Sequence, residues 1–125
     1  MEIFILLAML FCHIVDDYYL QGILASMKQK SWWQKSESYS EKYRYDYVIA
    51  LIEHAFSWTF MVMLPIFIVS KFQIDVFMCL VFLANWIIHT VVDDLKANKK
   101  KINLIQDQVI HLVQIFVTFI LLGVV

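Results

Sequence analysis

A chain of 125 residues that is 62% hydrophobic lies well above the roughly 45–50% apolar content of a soluble domain. Its mean hydropathy of +0.70 comes in long blocks. With about 20 apolar residues needed to cross a bilayer, four spans with short connections fill the length and leave no room for a separate soluble domain. A net charge of −1 excludes the basic field that nucleic acid demands.

The first span is expected over about residues 3–27. It opens on the apolar run IFILLAMLF with no basic segment before it, which fits a span better than a cleaved signal peptide. It then turns polar in HIVDDYYLQ, where His13, Asp17 and Gln21 recur every four residues and share one helix face. Asp16 points about 100° away from that face and is expected at a loop or entrance, as is Asp94. Cys12 and Cys79 read as small buried hydrophobes. In the connection KQKSWWQKSESYSEKYRYD, lysines alternate with serines and acids, and Trp32, Trp33, Tyr39, Tyr43, Tyr45 and Tyr47 read as interfacial anchors.

The second span, about 45–69, carries His54 with Glu53 beside it and Pro65 near its far end. A short turn, SKFQID, leads to the third span, about 76–95, which holds Asn85, His89 and Asp93 and is followed by Lys96. After KANKKK, the fourth span, about 104–125, holds Asp107, Gln108, His111 and Gln114. Asn85 and Gln114 are expected to hydrogen-bond between helices, and Lys96 to snorkel to the interface or meet a substrate anion. The first and third connections are basic, so the positive-inside rule places them in the cytoplasm and both termini outside. The fold class expected is all-α, an integral membrane four-helix bundle.

All four histidines fall inside predicted spans. His13/Asp17, His89/Asp93 and Asp107/His111 are each i,i+4 pairs, and the second span adds His54. Counted from the basic connections at about 1.5 Å per residue, Asp17, His54, His89, Asp107 and His111 lie roughly 9–16 Å deep, in one layer. The opposite halves of the spans hold no ionisable group. Intramembrane acids are costly and mark function. Imidazole and carboxylate together are the ligands of divalent cations, so His13, Asp17, His54, His89, Asp93, Asp107 and His111 are the candidate ligands. Zinc is expected first, with manganese or iron as alternatives, as one ion or two. The bland counter-reading is polar glue, with each pair neutralised within the bundle.

These residues carry a likeness. HIVDDYYLQ, His54 in EHA, HTVVDDLK and DQVIH follow one another in the order of the small bacterial and phage membrane proteins grouped as domain of unknown function 3307, which the chain resembles over nearly its whole length. It departs at Tyr18, where the family usually has Phe, and in the additional acid Asp16. The resemblance implies a polytopic protein of a bacterial or infected-host inner membrane and supplies no activity.

The leading functional expectation is a metal-dependent hydrolase acting on a phosphoester or lipid headgroup at the cytoplasmic leaflet. Asp17, Asp93 and Asp107 would be ligands or general base, Gln21 and Gln108 would orient water or substrate, and Lys96 would meet an anion. A proton or divalent-metal transporter is the alternative, and four helices would then call for a homo-oligomer. A non-catalytic accessory protein with a structural His/Asp cluster is a further one. Haem ligation fits poorly, because a carboxylate stands beside most of the imidazoles.

Overall fold

The computed structural model describes residues 1–123, and among them every regular element is helical. The expected fourth span reaches positions 124 and 125, which lie outside the described residues. Helix α1 spans Glu2–Ile14 and runs directly into a π-helical turn, Val15–Leu20. Two short helices follow, α2 (Leu24–Met27) and α3 (Lys30–Gln34), with a 3₁₀ turn at Glu41–Tyr43. Three long helices complete the chain: α4 (Asp46–Val69), α5 (Val76–Ala97) and α6 (Leu104–Leu122). Four helical segments are long and apolar enough to cross a membrane, Glu2–Leu20, Glu41–Val69, Val76–Ala97 and Leu104–Leu122, which fits a multi-pass membrane protein.

Local sequence accounts for the boundaries. Asp75 caps α5 by accepting from the Met78 amide at 2.7 Å. Asn103 and Gln106 form a reciprocal capping box at the start of α6. Helix α4 continues through Pro65, which lies in its last turns. The first span departs from expectation. Gly22 adopts φ +52°, a left-handed conformation open to glycine at little cost, and the chain breaks there. The segment to Met27 is therefore a separate short helix folded back against α4, not the last turns of a continuous span.

Helix α1 packs on α4 and α6, and α5 packs on α4 and α6, closing a four-membered ring. Away from the basic connections the centre is apolar, with Ile5, Met9, Val62, Met63, Ile66 and Ile115 all buried. Outward-facing Phe4, Leu7, Phe11, Leu80, Ile87, Val113 and Ile120 stay exposed, as a surface facing hydrocarbon requires. Apolar residues are as content in lipid as in this core, so close packing and polar contacts must hold the helices together.

Candidate metal centre

The polar residues converge at the end of the bundle that carries the basic connections. Asp17, His54, His89, Asp93, Asp107 and His111 are all buried. Nε2 of His54 lies 3.2 Å from Nε2 of His89, 3.3 Å from Oδ1 of Asp17 and 3.2 Å from Oδ2 of Asp93. Nε2 of His111 lies 3.3 Å from Oδ1 of Asp93 and 3.3 Å from Oδ1 of Asp107. His89 Nε2 is 3.7 Å from Oδ1 of Asp93. With metal–nitrogen bonds of about 2.0–2.1 Å, the edge of a tetrahedral ligand shell is about 3.3–3.4 Å, so these separations suit a shared cation. Two overlapping groups could hold one, Asp17/His54/His89 and His89/Asp93/His111.

Hydrogen bonds fix the imidazole of His111. Nε2 of Gln114 donates to the carbonyl and side-chain oxygens of Asn85, each at 3.2 Å. Its oxygen therefore faces His111 Nδ1 at 3.0 Å, and that nitrogen must donate. On a neutral ring the Nε2 lone pair is left aimed toward two carboxylate oxygens. Neither His111 Nε2 nor Asp107 Oδ1 has a hydrogen-bond partner among the described residues. Acceptor facing acceptor in a buried site is repulsive unless a cation lies between them. A second proton on the ring, ion-paired with the same two carboxylates, is the other way to relieve the repulsion.

His13 is set apart from this cluster. Trp58 Nε1, which can only donate, reaches His13 Nδ1 at 2.8 Å. The remaining nitrogen, Nε2, then donates to Gln108 Oε1 at 3.1 Å. Both ring nitrogens are spent, so His13, expected as a ligand, acts through Gln108. That amide donates to Asp17 Oδ2 at 3.2 Å and Asp107 Oδ2 at 3.0 Å, holding two acids of the cluster with one side chain.

Other expectations change as well. Asp16 does not face a loop. It is fully buried and accepts from Ser57 Oγ at 2.6 Å, because the wider π-helical turn brings both adjacent aspartates inward. Asp94 is half-buried and bonds Asn98 and Lys99 near the bundle end. Gln21 turns its amide nitrogen back and donates to the Asp17 carbonyl, while its buried Oε1 has no hydrogen-bond partner among the described residues. Lys96 does not snorkel outward. Its ammonium meets Asp107 Oδ2 at 2.7 Å, and its side chain is 26% exposed. Asn85 and Gln114 do hydrogen-bond between helices as expected, and Asn85 also donates to Thr118 at 2.7 Å.

Sequence reasoning missed two residues. Lys28, assigned to the polar connection, is only 6% exposed, and its ammonium lies 2.7 Å from Asp93 Oδ2. Asn98 latches it in place, donating to the Lys28 carbonyl at 3.0 Å and accepting the Lys30 amide at 2.7 Å. Trp58 is fully buried and stacks on His89 with centroids 4.1 Å apart, while His89 stacks on His111 at the same separation. Its spacing of four from His54 was the available signal. Lys28 gave none, because its burial depends on the break at Gly22.

Formal charge completes the description. Three carboxylates, Asp17, Asp93 and Asp107, face the two ammonium groups of Lys28 and Lys96. With neutral imidazoles the cluster is one positive charge short, and Asp16 lies beside it. A divalent cation fits the donor set, and either a cation or one imidazole proton offsets the missing charge.

The chain matches no known family, no curated protein and no solved structure. The reading therefore rests on the site itself.

Proposed function

We propose that this chain is a membrane-embedded metal-binding protein whose buried His/Asp centre acts as a metal-dependent hydrolase on a phosphoester of the lipid-headgroup kind, at the cytoplasmic leaflet of a bacterial inner membrane. The observation that carries the metal reading is the unpartnered pair His111 Nε2 and Asp107 Oδ1, 3.3 Å apart in a fully buried site. His54, His89, His111, Asp17 and Asp93 would hold the cation, with zinc favoured by the nitrogen-rich set. A divalent cation bound there supplies Lewis acidity toward a phosphoryl oxygen and activates water near neutral pH. Asp107 is held through Oδ2 by Lys96 and Gln108, which leaves Oδ1 to face the cation beside His111 Nε2. Lys96, half-buried beside Asp107, would offer a positive charge to an approaching anion. The basic ends of the bundle support the cytoplasmic assignment.

One observation favours a second reading, transport of a proton or a divalent ion. Polar groups continue past the centre from His111 through Gln114 and Asn85 to Thr118. Beyond them the apolar core closes the monomer.

Elemental analysis of the detergent-purified protein is the deciding experiment, expected to find about one zinc, manganese or iron per chain. Metal-free protein that resists reconstitution would leave only a structural cluster and overturn the proposal. With metal present, phosphate release from phospholipid substrates supports the hydrolase. Ion flux in proteoliposomes without phosphate release supports transport.

A further inference from the structure

The connection between the first span and α4 folds into a feature the metal centre does not use. Trp32 and Trp33 from α3, with Tyr39 and Tyr43 farther along, line a cavity of about 570 Å³ that also takes in Lys35, Ser36 and Ser38. Its shape is built. Trp33 is half-buried and anchored by its indole N–H on the Met27 carbonyl at 2.7 Å. Trp32 stands edge-on to it with centroids 5.0 Å apart. Ser36 and Ser38 pair their hydroxyls at 2.9 Å.

We infer that this cavity binds the headgroup of a zwitterionic phospholipid. The lining is two-sided in chemistry. Lys35 is its one charged group, and with the one hydroxyl proton that the serine pair leaves unused it offers a cation and a donor to a phosphate. The indole rings and the Tyr39 phenol offer π faces to an ammonium group, while the Tyr43 ring already carries Lys42 Nζ at 5.8 Å. An ammonium and a phosphate a few bonds apart make up a phosphoethanolamine or phosphocholine headgroup. The cavity sits on a connection between two membrane-spanning segments, so such headgroups are its immediate neighbours. Aromatic residues that serve only as interfacial anchors spread their rings along the boundary, whereas these line a half-open cavity of drug-ligand size. The inference needs no metal. Trp33 nevertheless rests on the carbonyl of Met27, the residue before buried Lys28, so an occupied cavity would adjoin the centre.

The test uses full-length, delipidated, chelator-treated protein in detergent, which separates lipid binding from any metal chemistry. Dihexanoyl phosphatidylethanolamine and dihexanoyl phosphatidylglycerol are titrated calorimetrically. Ethanolamine lipid is expected to bind at least about fivefold tighter, with Trp32→Ala and Lys35→Ala each erasing about that factor. Trp32 and Lys35 are exposed, so both variants are expected to fold. Soluble phosphoethanolamine is expected to compete. Equal affinity for the two lipids, indifference to both substitutions, or no competition by the soluble headgroup would each overturn the assignment and leave an interfacial anchor.

Discussion

Asp93 accepts Lys28 at 2.7 Å and faces His54 and His111 at 3.2 and 3.3 Å, so a single carboxylate is shared by an ammonium and two imidazoles. The ammonium partly neutralises the charge that a metal ion would otherwise have to offset. Lys28→Met is therefore expected to destabilise the metal-free protein by roughly 3–5 kcal/mol, since it strands a buried charge. Adding the metal should then recover more thermal stability in the variant than in the wild type. Equal recovery in the two would show that Lys28 and the metal do not share Asp93. The histidines divide in the same manner. His89→Ala is expected to strip the metal while membrane insertion persists, measured by elemental analysis of membrane-extracted protein. His13→Ala should keep the metal at near wild-type stoichiometry, because both of its nitrogens are already hydrogen-bonded. It should lose about 1–3 kcal/mol of stability from the unpaired Trp58 N–H and Gln108 carbonyl.

At the level of elements, the π-helical turn Val15–Leu20 does what an α-helix could not. Its amide-to-carbonyl bonds span five residues, as in Gln21 to Asp16 at 3.1 Å, and the lower rotation per residue turns Asp16 and Asp17 together toward α4. Gly22 then ends the segment with a positive φ, and the chain folds back to deliver Lys28. A Cβ at Gly22 would meet nothing closer than the Leu20 carbonyl oxygen at 3.9 Å, so conformation rather than collision sets the cost of substitution. Gly22→Ala is expected to cost about 1 kcal/mol, readable as a small fall in Tm with metal content unchanged. Helices α5 and α6 needed no such device. Their His/Asp pairs lie on regular α-helical faces, which is why spacing alone marked them.

For the whole molecule, the centre ties together all four sides of the bundle: Asp17 from the π-helical turn, His54 from α4, His89 and Asp93 from α5, and His111 from α6. A ligand that binds only the folded arrangement adds stability by mass action, about 2.7 kcal/mol at one hundred times its Kd. Chelation is thus expected to lower the detergent-solubilised Tm, and titrating zinc back should restore it. An unchanged Tm after the metal has been stripped would show that helix packing alone holds the bundle. The sequence by itself determined the four apolar segments and the residues that belong to one polar layer. Both follow from local rules, because the length of an apolar run and a spacing of four are fixed by helix geometry. Tertiary structure alone decided that His13 is spent on Trp58 and Gln108, that Lys28 is buried, and that Asp16 turns inward. Each of those outcomes depends on a partner dozens of residues away or on a local break in helical geometry, and neither leaves a periodic trace along the chain.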